Sequence, residues 1–265
     1  MMVLFFIVLG AIAGSALNAI IYRSYKGESW LKGRSRCPKC KHTLCWYELI
    51  PVISFVLQKG RCRSCHSIIH IQYVVIELIT AFAFAGGYAW YTHNGIEIKH
   101  LLDFAFFIVT FCIVMIIFVH DARYRVVLDS IVLPGFIVLA LLRLVFFYVI
   151  YHTVGWQKEL ISMGIGIAIG ALFFAIQYIV SRGRWVGGGD IRIGAILGAV
   201  LGFPQVLTAL FFAYISGCLV SIWLLATKKK NLQSEIAFGP FLAVALLVTL
   251  LWGPQLVSWY FNFFL

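Results

Sequence analysis

Charge is scarce in this chain. Only 12% of its 265 residues are Asp, Glu, Lys or Arg, 62% are hydrophobic, and the mean hydropathy is +0.97. Soluble domains are about half apolar and about a quarter charged, so water is not the main solvent for this sequence. A water-soluble fold would need many more polar residues to cover its outside. Also missing is a basic segment ahead of the first apolar run, which a cleaved secretory signal requires. Small residues at Ala11, Ala13, Gly14, Ser15 and Ala16 would suit a cleavage site, but the positive charge follows the run instead of preceding it. A retained first span with its N-terminus outside is expected.

What is present is a series of apolar stretches, at 2–22, 71–92, 101–120, 126–151, 160–181, 191–203, 205–227 and 236–258. Crossing about 30 Å of hydrocarbon takes roughly 20 residues of helix. The expectation is an all-α polytopic membrane protein with about eight transmembrane helices, the sixth being short and rich in glycine.

The net charge of +11 would point to nucleic acid in a soluble protein. Its placement points elsewhere. Ten of the 21 Lys and Arg residues fall between Arg23 and Arg63. If that loop is cytoplasmic, so are Arg123, Arg125, Arg182, Arg184, Arg192 and Lys228 to Lys230, leaving Lys99 and Lys158 outside and Arg143 within the fourth span. The positive-inside rule then gives one orientation, with both termini outward. The basic residues are expected to meet anionic headgroups of the lipid bilayer, and no nucleic acid is expected.

Within the basic loop, Cys37-Pro38-Lys39-Cys40 is followed after 21 intervening residues by Cys62-Arg63-Ser64-Cys65. Two such turns bring four thiolates to tetrahedral spacing, and cationic neighbours favour the ionised thiol. A structural zinc on these four cysteines is expected in preference to two disulfides, which a reducing cytoplasm disfavours. His42, His66 and Cys45 are near neighbours of a complete ligand set and are read as bystanders. Cys112 and Cys218 lie in apolar spans, where cysteine acts as a small hydrophobe. The chain thus divides into a first helix (1–22), a zinc-ribbon-like insertion (23–70) and a seven-helix core (71–265).

Of ten acids, five lie in or at the ends of apolar spans: Glu77, Asp103, Asp121, Asp129 and Asp190. Acids in such places are costly and usually functional. Glu77 and Asp103 sit at predicted span ends, within reach of water, and are read as structural. Asp121, where the third span meets the cytoplasm, and Asp190, at the start of the sixth, share one membrane face. Two carboxylates held together cannot both ionise, so one stays an acid while the other takes a proton from water, which is the logic of aspartic peptide hydrolysis. Gly187, Gly188 and Gly189 before Asp190 let backbone approach an extended peptide.

Taken together, the residues resemble a known family, the bacterial type IV prepilin peptidases. The resemblance runs through Gly14-Ser15-Ala16-Leu17-Asn18, Tyr22-Arg23, the paired CxxC turns and Glu48 to Ser54. It continues through Gly60-Arg61-Cys62-Arg63, Tyr73 and Glu77, the segment from Asp121, Gly187 to Asp190 with Arg192, and Ala237-Phe238-Gly239-Pro240-Phe241. It implies a GxGD-type aspartic peptidase of the bacterial cytoplasmic membrane that removes the basic leader of prepilins and pseudopilins on the cytoplasmic side, with Asp121 and Asp190 catalytic. It also implies methylation of the new N-terminus with S-adenosylmethionine as donor, an activity tied to the cysteine-bearing loop. No Rossmann-type glycine fingerprint is visible for that donor, so methyl transfer rests on the resemblance alone. One departure is Leu128-Asp129 where the family has Pro-Asp; Asp129 is read as a supporting acid. The alternatives are a peptidase without methylation, or a non-enzymatic membrane protein whose zinc knuckle binds nucleic acid or a partner while its intramembrane acids pass protons.

Overall fold

A computed structural model describes residues 1–29, 33–93, 95–150, 155–228 and 236–264. Lys32, Lys229 and Lys230 from the basic clusters, and Tyr151 at the end of the fourth predicted span, lie outside the described residues. Each apolar stretch forms a helix: α1 (Met2–Tyr25), α3 (Gln72–Thr92), α4 (Ile98–Tyr124), α5 (Asp129–Ile150), α6 (Trp156–Ser181), α7 (Gly188–Leu201), α8 (Gln205–Ala226) and α9 (Gly239–Phe264). The short α2 (Ile53–Leu57) lies in the cysteine-bearing loop. Large apolar side chains such as Leu141, Val145, Leu219 and Ile222 point outward from α5 and α8. Helices apolar on every side bury one face in protein and need lipid on the other.

Seven of these helices are long and apolar enough to cross a membrane. The exception among the predicted spans is α7, whose 14 residues reach only about 21 Å at 1.5 Å per residue. The sixth expected span is therefore a helix too short to cross by itself, and seven long spans stand where eight are expected.

The chain divides into two compact units, 1–112 and 113–265, the boundary falling inside α4. In the first, α1 packs antiparallel on α3. Asn18 Nδ2 donates to the Tyr73 carbonyl at 3.0 Å, and Phe6 stacks on Tyr88 with ring centroids 4.6 Å apart.

In the second unit α7 is enclosed by α5, α6, α8 and α9, and its Leu197 and Ala199 have no exposed surface. The closest approach is a glycine seam between α6 and α7. A Cβ on Gly166 would lie 2.8 Å from the Gly198 carbonyl oxygen, and one on Gly194 would strike the Gly170 carbonyl. Without apolar burial to drive helices together in lipid, such backbone contact is what packs them. The antiparallel register of 170 with 194 and 166 with 198 puts Phe174 level with Asp190. From Phe174, α6 runs seven residues further to Ser181, about 10 Å, before Arg182 and Arg184. The start of α7 is thus recessed below the end of α6.

The seam makes a testable pair of substitutions. Gly194→Ala is expected to lower the thermal midpoint of the protein in detergent, since overpacking costs about 1–3 kcal/mol. Gly164→Ala, on the same helix pair but with nothing within 4 Å of its Cβ position, is expected to leave the midpoint unchanged or raise it. Equal midpoints for the two variants would argue against the seam.

Candidate active site

Asp121 lies in the last turn of α4, where its own helix offers the negative end of the peptide dipoles. Its carboxylate is instead stabilised from another helix. The Gly239 backbone N–H, first in α9, donates to Asp121 Oδ2 at 2.8 Å. Helix N-termini carry unpaired N–H groups and favour anions, and Pro240, lacking an N–H, fits the opening turn of α9. The approach requires glycine: a Cβ on Gly239 would sit 2.5 Å from Asp121 Oδ2. Just before it, Phe238 is held by aromatic contacts with Phe174 (6.1 Å), Tyr214 (4.9 Å) and Phe241 (6.1 Å).

Asp190 is the third residue of α7. Its Oδ2 accepts the Gly187 N–H at 3.1 Å, reaching back over the first turn as a capping carboxylate does. Each of the two aspartates is 8% exposed. Asp190 lies outside the seven long apolar helices. Burial, and after it the charge of Asp121, raises the Asp190 carboxyl to about 6 against the lowering effect of the Gly187 N–H. The two carboxyls, 69 residues apart in sequence, therefore lie near enough in space to feel each other's charge, each at the N-terminus of a helix. Ionising both at once is thereby disfavoured.

The three glycines differ in what they do. A Cβ on Gly189 would sit 2.5 Å from Val127 Cβ, whereas positions 187 and 188 meet nothing closer than 3.6 Å and 3.9 Å. Gly189 thus lets the α4–α5 connection rest against the start of α7, while a Cβ at 187 or 188 would make only ordinary van der Waals contacts. Asp129, first in α5, forms an ion pair with Arg192 Nη1 on α7. Its partner is a cation two residues beyond Asp190.

In the first unit, the Sγ atoms of Cys37, Cys40, Cys62 and Cys65 lie within 4.8 Å of one another. None is in a disulfide. Cys37 and Cys65 Sγ are 3.8 Å apart, and Cys40 and Cys62 Sγ 4.0 Å. A tetrahedral zinc with Zn–S bonds of about 2.3 Å needs sulfurs about 3.8 Å apart, so the donor set fits. The two turns are copies of one knuckle. Cys37 N–H bonds the His42 carbonyl and Cys62 N–H the Ser67 carbonyl, both at 2.9 Å, and each turn closes with a left-handed residue, Lys41 or His66. His42 faces Glu48 at 3.7 Å instead of joining the cluster, and neither His66 nor Cys45 belongs to the ligand group.

Two residues play parts that their sequence positions did not disclose. Glu77, read as a water-exposed span end, is buried, and its Oε2 accepts the Val52 N–H of the loop at 2.8 Å. Gly239 stood out only within a motif of the resemblance; its Gly-Pro start to an apolar run marks a helix N-terminus, though not the partner. Asp103 is half-buried in α4.

Comparison with known proteins places these features in context. A family model described as "Bacterial Peptidase A24 N-terminal domain" matches residues 8–91, and one described as "Type IV leader peptidase family" matches residues 108–222. The prepilin leader peptidase/N-methyltransferase of Bacillus subtilis (strain 168) is 32% identical over 227 residues, which cover 86% of this chain and 85% of that protein. The protein of the same description from Aeromonas salmonicida (strain A449) is 29% identical, covering 86% of this chain and 75% of its own length. That from Legionella pneumophila is 27% identical, covering 95% and 92%. No solved structure matches the chain.

Proposed function

The chain belongs to the type IV leader peptidase family, and from that premise we propose that it removes the leader of prepilins and pseudopilins with Asp121 and Asp190 and then methylates the new N-terminus. The observation that carries the reading is that both carboxylates are buried and each accepts a glycine N–H at a helix start, with the charge of Asp121 felt at Asp190.

With one proton on the pair, the ionised carboxylate takes a proton from water as the water oxygen attacks the scissile carbonyl carbon. The protonated partner gives its proton to the carbonyl oxygen. Collapse of the tetrahedral carbon breaks the C–N bond, and the amine leaves with a proton returned by the pair. Without side chains, Gly187 and Gly188 let the backbone of an extended peptide approach closely. The apolar helix that follows a prepilin leader enters laterally from the bilayer, and the active site faces the cytoplasm.

The insert 23–70 holds zinc on Cys37, Cys40, Cys62 and Cys65 as a cross-link between its two knuckles, and 71–265 forms the peptidase core. S-adenosylmethionine, when bound, supplies an electrophilic methyl group. Among the described residues there are only isolated β-bridges, so the strand–loop–helix of a Rossmann-type donor site is not a feature of these residues.

The test is mass spectrometry of a coexpressed pilin's N-terminus, with and without this protein. The expected product lacks the leader and is one methyl group heavier; an intact leader would overturn the peptidase reading. In a Cys37→Ser, Cys62→Ser variant, zinc content is expected to fall to zero and methylation to fail while cleavage continues. Complete loss of cleavage in that variant would make the knuckle part of the peptidase.

A further inference from the structure

A helix ending at membrane depth leaves carbonyls with no water to bond, and each costs free energy unless another group donates to it. The C-terminus of α7 is in that position. By the seam register its last residue, Leu201, stands level with Met163, seven residues inside the start of α6. The Phe203 N–H, which continued helix would aim at the Ala199 carbonyl, goes instead to the Ser162 carbonyl at 3.0 Å. The vacant places are filled from α5. Arg143, 7% exposed, donates through Nη1 to the Ala199 carbonyl at 2.8 Å and through Nη2 to the Leu201 carbonyl at 3.2 Å. Gly202 makes room, since a Cβ there would lie 2.8 Å from Arg143 Nη2.

The same helix grips the other end of α7 through Asp129 and Arg192. The outer pair is half-exposed, with side-chain exposures of 51% and 42%, and such pairs contribute about 0–1 kcal/mol. The buried Arg143 bonds are charge-assisted and stronger. A guanidinium within an apolar span is costly and calls for a function; here a cation also meets the negative end of the α7 dipole.

We infer that Arg143 is a positioning residue for peptide cleavage: by capping α7 from α5 it fixes how deep α7 lies, and so where Asp190 stands relative to Asp121. The inference rests on the assignment of Asp190 as a catalytic acid. Arg143 touches neither aspartate. It acts through the length of a rigid 14-residue helix, which meets α6 along a glycine seam and packs Ile193, Ile196 and Leu197 into the core.

The test uses the purified full-length enzyme in lipid vesicles, with two substrates. One is a peptide bearing a basic leader and an apolar helix; the other is the same peptide without its leader, to report methyl transfer. In Arg143→Met, kcat for cleavage is expected to fall about 100-fold, the cost of misplacing a reacting group by about 1 Å. KM for the leader peptide and methyl transfer to the leaderless peptide should stay as in wild type. Arg143→Lys, which keeps a cation and donors on a shorter reach, is expected to recover most of the lost kcat. Wild-type cleavage by Arg143→Met would overturn the inference. So would parallel loss of cleavage and methyl transfer in both variants, which would mean that Arg143 serves the fold alone. Asp190→Asn is run beside them: if it cleaves normally, the assignment on which the inference rests is what has failed, whatever the Arg143 variants do.

Discussion

Replacing Asp190 by asparagine is expected to abolish leader removal while the protein still accumulates in the membrane and still methylates a leaderless peptide. Asparagine keeps the shape of the side chain, and its Oδ1 accepts the Gly187 N–H as the carboxylate does. What it loses is the ability to hold or release the shared proton. Proton transfer by a positioned side chain is worth about 10²–10⁴-fold, so the residual rate should fall below ordinary detection. Asp121→Asn should behave alike, because its amide oxygen still accepts from Gly239. The two losses should not add in the double variant, since removing either member leaves no pair. A pulse-labelled prepilin followed by gel shift reads all three variants. Normal processing by either single variant sinks the aspartyl assignment.

The second large effect is expected at a residue without chemistry of its own. In Gly239→Ala the new methyl would sit 2.5 Å from Asp121 Oδ2 and 3.0 Å from Asp121 Cγ. One of the two must move. The backbone at the start of α9 is tied through Phe238 to aromatics on α6 and α8, whereas the carboxylate turns about single bonds. Asp121 therefore yields, giving up its bond from Gly239 and its present position. Cleavage is expected to fall about 100-fold, with little change in thermal midpoint because a flexible side-chain end absorbs the clash. Retained cleavage would show that Asp121 works from more than one position. A lowered midpoint accompanied by loss of methyl transfer would place the damage in the fold.

The spans were legible because bilayer thickness imposes a length on any apolar helix, and residues 2–22, 71–92 and 205–227 became α1, α3 and α8 with only small shifts at their ends. The four-cysteine cluster was legible for a similar reason, as CxxC spacing fixes two ligands locally. The parts that escaped depend on partners far along the chain. Asp121 meets Gly239 across 118 residues, Glu77 meets Val52 across 25, and Arg143 meets Ala199 across 56. No periodicity records such pairings. In the sequence Arg143 therefore stands out only as an exception to the charge rule, and Glu77, near a span end, reads as reachable by water. The length of α7 was visible, yet without its register against α6 a short span and a recessed helix read alike.

That recess carries a consequence for the rest of the cell's proteins. With Asp190 level with Phe174, about 10 Å below the end of α6, a loop of a water-borne chain would halt at the rim, where Arg182 and Arg184 begin the connection to α7. A chain delivered by its own apolar helix arrives from the side and at depth. If Asp190 is the acid that cuts, depth acts as a filter that needs no tight side-chain pocket. On the proposed role of Asp190, a peptidase of this design cuts chains that lie in the bilayer and spares those that do not.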